Sequence, residues 1–160
     1  SKKTTVIIGI VIISIYIGLS IPELLIDEAD QWSDYKILSS ALEIWPSTDS
    51  WNVYVKEQNT RYVRMILLDF SQEFFQNIKI LPFVASILTV IFTALIAIQI
   101  AKKRLAGIIA MIVLLQSVTF TDFDTVAVYE NFWVLFYLIS IYSYIIIILY
   151  LINIIISNYY

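Results

Sequence analysis

The chain has 160 residues, 60% of them hydrophobic and only 14% charged, with a formal net charge of −3. Soluble domains carry roughly 45–50% apolar and about 25% charged residues, so this composition excludes a soluble globular domain and describes an integral membrane protein. Cys and His are both absent, which excludes a disulfide framework, thiolate catalysis, imidazole-held metals and Ser-His-Asp chemistry.

A helix rises 1.5 Å per residue, so about 20 apolar residues cross a hydrocarbon core of about 30 Å. The first such run, Thr4–Pro22, follows Lys2 and Lys3. No small-residue cleavage site follows it, so an uncleaved anchor is expected rather than a signal peptide. Residues 23–79 then form one long segment between spans, and a loop of that length is usually functional or independently structured.

Two stretches of this loop have helical period. In Asp34–Trp45, Ile37, Leu38, Ala41, Leu42 and Trp45 share a face, and Pro46 closes the stretch. In Thr60–Asn77, Val63, Ile66, Leu67, Phe70 and Phe74 do the same, with Thr60 placed as an N-cap. Both are expected to lie on the membrane surface, apolar side down, Val63, Leu67, Phe70 and Phe74 forming the lower face of the second. Such segments also serve simply as packing and anchors. Residues 46–50 (Pro-Ser-Thr-Asp-Ser) read as a turn. Trp32, Trp45, Trp51 and Trp133, with the many Tyr, suit an interfacial belt.

The second span is expected at 80–101 and the third, short and almost wholly apolar, at 105–121. The fourth falls within Asn131–Tyr160, which carries no charge and is longer than one crossing needs; its span is placed at about 131–156. Lys102, Lys103 and Arg104 form a tight basic turn between the second and third, matching Lys2 and Lys3 before the first. The positive-inside bias puts these segments, and both termini, on the cytoplasmic side of the cell membrane. All thirteen Asp and Glu then fall opposite: ten in Glu23–Glu73, plus Asp122, Asp124 and Glu130. The fold class is therefore an all-α integral membrane protein, one membrane domain over 1–160. Four transmembrane helices are joined by a long extracytoplasmic loop with one or two amphipathic interfacial helices.

The acids carry the chemical signal. Asp27, Glu28, Asp30 and Asp34 follow closely on the first span, and Asp122 and Asp124 occupy the other external loop. Clustered carboxylates repel one another, raise some pKa values, and suit proton abstraction or cation binding. Without Cys or His, a bound metal would be a hard cation on carboxylate oxygens. A solvated acidic surface is the plainer alternative. A transporter or channel is poorly supported, because no expected span carries a charge. Gln99, Gln116 and Asn153 are its polar amides, suited to helix–helix contact.

A first span, then Asp27-Glu28 opening a long external loop with surface helices, resembles the N-terminal module of the GT-C glycosyltransferases. These multi-span enzymes use polyprenyl-phosphate-linked sugars and include protein mannosyltransferases and oligosaccharyltransferases. The stretches Arg61-Tyr-Val-Arg-Met-Ile-Leu-Leu-Asp69 and Asn77-Ile-Lys-Ile-Leu-Pro82-Phe look like their approach to the second span. Lys103-Arg104-Leu-Ala-Gly107-Ile-Ile-Ala resembles their cytoplasmic turn, and Asp122-Phe-Asp124 with Tyr129-Glu-Asn-Phe-Trp133 resembles the second external loop. The likeness runs along nearly the whole chain, through short, degenerate motifs.

The resemblance implies that Asp27, with Glu28, takes the place of the first-loop catalytic carboxylate. In the mannosyltransferase type it acts as base on an acceptor hydroxyl. In the oligosaccharyltransferase type it helps hold a divalent cation, Mg or Mn, with second-loop acids, here Asp122 and Asp124. Attack on the anomeric carbon would invert it and release lipid phosphate. From charge alone, Arg61 and Arg64 are placed as phosphate contacts. The family core has more spans than these four, so a module needing missing or partner spans is expected. The alternative is a non-catalytic structural subunit of a larger membrane complex of respiratory or oxidase type. Expected partners are the lipid bilayer, other membrane subunits and a polyprenyl-phosphate sugar, and no nucleic acid.

Overall fold

The computed structural model describes residues 2–26, 62–126 and 130–159. The elements among them are all helices: α1 (Lys2–Leu24), α2 (Tyr62–Phe75), α3 (Ile80–Ala101), α4 (Arg104–Leu115), α5 (Val118–Phe123) and α6 (Glu130–Tyr159). Three of these, α1, α3 and α6, are long and apolar enough to cross a membrane. The protein is membrane-embedded, in contact with the lipid bilayer. The expected helix at 34–45, together with Asp27, Glu28 and Arg61, lies outside the described residues.

The helix α3 is the centre of the bundle and uses two faces. Phe83, Val90 and Ala94, seven and then four residues apart, bury against Tyr16 of α1 and Met111 of α4. Ala85, flanked by Leu81 and Phe92, buries against Phe132 and Leu135 of α6 and Leu68 of α2. The Phe92 ring meets Tyr142 of α6 edge-on at 5.6 Å. Beyond its first turns α6 is predominantly apolar, and none of its described side chains there is buried, as suits a lipid-facing helix.

The run expected as a third span is two helices. At about 18 Å, the 12 residues of α4 fall short of a crossing. The break falls at Gln116-Ser117, where polar residues interrupt the apolar run. Ser117 turns to extended backbone and caps α5, its Oγ accepting from Phe120 N at 3.4 Å. Backbone donors across the break remain bonded, Gln116 N to Ile112 O and Ser117 N to Leu114 O, each at 3.0 Å. That satisfaction is what a low-dielectric surrounding demands of an interrupted helix. Phe120 holds α5 against Tyr16, ring centroids 6.2 Å apart.

Within the stretch expected to be helical over 60–77, the helix is α2. It docks on α3 through Leu68 and Ser71, both 0% exposed. Leu67 is half-buried, while Phe70 and Phe74 point away and stack at 5.2 Å. Gln76 ends the helix in the left-handed conformation (φ 54°).

The α1 C-terminus has no basic residue of its own in its last turn. Its orphan carbonyls are met instead by the link before α3. Lys79 Nζ donates to Glu23 O at 3.1 Å and Ile26 O at 2.6 Å, and Asn77 Nδ2 donates to Leu24 O at 3.0 Å. A cation at a helix C-terminus is favoured by the helix dipole as well as by these bonds. Ser71 Oγ completes the tie, donating to Asn77 O and accepting from Leu81 N. Lys79→Met would remove the charged donor from both carbonyls, leaving Glu23 O only its bond from Ile26 N, at about 1–3 kcal/mol. The melting temperature in detergent should fall clearly; an unchanged one would refute the clamp.

Candidate functional site

Three polar residues of α1, Tyr16, Ser20 and Glu23, recur at i, i+4 and i+7 and so share one face near its C-terminal end. Asp124, in the link after α5, packs onto that face. It is 2% exposed. Ser20 Oγ donates to Asp124 Oδ2 at 3.3 Å, sharing its hydrogen with Tyr16 O at 3.1 Å. From α3, Ser86 Oγ donates to Asp124 O at 2.9 Å, and from α6 Asn131 Nδ2 approaches the same oxygen at 3.5 Å. Thr125 Oγ1 donates to Glu23 Oε2 at 3.1 Å. One short link thus gathers α1, α3 and α6.

The second carboxylate oxygen, Asp124 Oδ1, is buried without a hydrogen-bond partner, and so is the Tyr16 hydroxyl. Both residues line a cavity of about 280 Å³ with Ser20, Glu23 and Thr121. Burial, above all, pushes the Asp124 carboxyl up from 3.8 to about 6. The Tyr16 hydroxyl is close enough to favour the charged form without completing a hydrogen bond, the Glu23 charge acts against it, and Ser20 favours it. A carboxyl held there changes charge near neutrality, the property expected of a group that exchanges a proton.

Asp122 and Asp124 do not share a surface: Asp122 is exposed while Asp124 faces inward. Among the described residues no three acidic side chains stand close enough together to hold a metal ion. Asp27 and Glu28 begin immediately after the last described residue of the α1 end, Ile26, and Arg61 is likewise outside the described residues. Arg64 lies on α2; its side chain is not among those described. Sequence reasoning overlooked Tyr16, Ser20, Glu23 and Ser86. The polar stripe at 16, 20 and 23, inside an otherwise apolar span, was the signal that could have found the first three.

No family model matches this chain, and neither a curated protein nor a solved structure matches it.

Proposed function

We propose that the chain is a GT-C-like membrane module of lipid-linked-sugar glycosylation, acting with spans that lie elsewhere or on partner subunits. The observation that supports this most is the Asp124 carboxyl. It is buried at the α1 end, raised toward neutrality, has one oxygen without a hydrogen-bond partner, and lines a cavity with Glu23 and Tyr16. In this reading a first-loop acid, Asp27 or Glu28, takes the proton of an acceptor hydroxyl. The new bond forms at the anomeric carbon with inversion as the bond to lipid phosphate breaks. Asp124 would join the first-loop acid in holding a divalent cation, Mg or Mn, without Asp122, which the fold turns to the surface, and Arg61 and Arg64 would meet the phosphate.

The arrangement needs four crossings, with α4 and α5 together making the third. Both termini are then cytoplasmic in the cell membrane and residues 23–79 outside. A membrane-impermeant thiol reagent should label Ser50→Cys in intact cells and spare Ser1→Cys; labelling at Ser1→Cys would overturn this topology. Function is tested by purifying the complex in gentle detergent and supplying a polyprenyl-phosphate sugar. Loss of a positioned acid costs about 10²–10⁴-fold in rate, so Asp27→Asn should abolish transfer while leaving assembly intact. Transfer unaffected by both Asp27→Asn and Asp124→Asn would sink the enzymatic reading.

A second reading, a non-catalytic subunit of a larger membrane complex, draws support from α6. Its spanning window has no buried residue, which leaves a long apolar surface for partner helices as well as for lipid. In that case the acid variants would change assembly and leave no transferase activity to lose.

A further inference from the structure

A larger cavity, about 420 Å³, lies on the other side of Ser86 from the Glu23–Asp124 site, between α3, α5 and α6. That volume falls in the range of small-molecule sites, about 300–1,000 Å³. Its walls are mainly apolar, with Phe120, Phe123 and Val134 contributing most of the bulk. At its edge on α3 stands Thr89, 3% exposed, whose Oγ1 has no hydrogen-bond partner. A buried hydroxyl left unpaired is unfavourable, and buried polar groups are almost always satisfied by something. Asn131 commits its Nδ2 to the carbonyls of Phe123, Asp124 and Val126, which leaves its Oδ1 as an acceptor at the same cavity.

Charge narrows the class of occupant. Glu130 is the only ionisable side chain among the described lining residues, and no Lys or Arg is among them. A phosphate or sulfate head would meet a like charge with no counter-ion, whereas a neutral hydroxyl can donate to Asn131 or Thr89 and accept from Thr89. Both flanking helices, α3 and α6, are long enough to span the bilayer, so the ligand can come from the lipid phase.

We infer that this cavity binds an uncharged, hydroxyl-bearing amphiphile of the bilayer, of the monoacylglycerol class. Its hydroxyl pairs with Thr89 Oγ1, and its chain lies on Phe120, Phe123 and Val134. The inference does not depend on the glycosylation reading, since it uses neither Asp124 nor the first-loop acids.

The protein has no Cys, so a single thiol reports cleanly. In Thr119→Cys, at the cavity wall, maleimide labelling is measured in nonionic detergent with monooleoylglycerol added, and separately with the oleoyl lysophosphatidic acid of the same chain. Monooleoylglycerol at ten times its Kd should slow labelling about tenfold, and the anionic analogue should not. Thr89→Val, nearly the same shape without the hydroxyl, should weaken the protection, and Val134→Trp, which fills the cavity, should remove it. If Val134→Trp fails to fold, the probe comparison and Thr89→Val decide. No protection by monooleoylglycerol, equal protection by both lipids, or full protection in Thr89→Val would each overturn the assignment.

Discussion

Asp124→Asn should raise the thermal unfolding midpoint near pH 7.5 and flatten its dependence on pH between about 7 and 5. A carboxyl whose folded pKa, about 6, exceeds its unfolded value of 3.8 binds its proton more tightly in the native state. Its stabilising contribution is therefore fully present below 3.8 and is lost as pH rises through about 6. At neutral pH the native state carries a buried charge that the unfolded state would carry in water. The shift from 3.8 to about 6 corresponds to about 3 kcal/mol at 1.36 kcal/mol per unit. Asn keeps an oxygen for Ser20 Oγ, leaves the backbone carbonyl for Ser86, and carries no charge. The measurement is the melting temperature in detergent across that pH range, wild type against variant. A wild type that loses stability on acidification through pH 6, or a variant as unstable as Asp124→Ala, would refute the argument. If the proposed transferase role holds, the same variant gains stability and loses activity, the trade expected where an active site carries an unfavourable group.

The second large effect is expected at Gly107, where α4 packs closely on α3. A Cβ built there would lie 2.7 Å from Ile98 Cδ1 and Cγ1 and 3.1 Å from Ala94 O. The isoleucine tip can rotate away, but the Ala94 carbonyl belongs to the α3 backbone and cannot. Gly107→Ala should therefore already cost stability, because Ile98 must re-orient and α4 must back away from the Ala94 carbonyl by a few tenths of an ångström. Gly107→Leu should wedge the hairpin apart, at about 1–3 kcal/mol or more for overpacking. The turn has little slack, because only Lys102, left-handed at φ 53°, and the extended Lys103 connect the two helices. Melting temperature and protease resistance in detergent check this. A Gly107→Leu protein as stable as wild type would mean that α3 and α4 do not approach as described.

Some of the fold is determined locally and can be read before any contact is known. The span expected at 80–101 coincides with α3, Ile80–Ala101, because charged residues at 79 and 102–104 bracket an uninterrupted apolar run. The first and last apolar runs likewise become α1 and α6, and α2 falls inside the 60–77 stretch whose period marked it. Each rests on composition and spacing over one turn of helix after another, which is information the chain carries in sequence order.

Other features depended on partners distant in sequence. Asp122 and Asp124 look alike in sequence, two residues apart in a short acidic link, yet one is exposed and the other buried. What separates them is Ser20 and Ser86, 104 and 38 residues away from Asp124. Lys79 is in sequence only the last residue of the loop expected at 23–79, and becomes a buried cap because the α1 carbonyls at Glu23 and Ile26 come to it. The apolar run at 105–121 looks continuous until Ser117 takes the N-cap of α5 and Phe120 finds Tyr16. Hydrophobic length and charge placement determined which segments enter the membrane. Which polar side chain is buried, and which acid is pushed toward neutrality, was decided only by tertiary packing, because desolvation and hydrogen bonding depend on whatever group arrives from elsewhere in the chain.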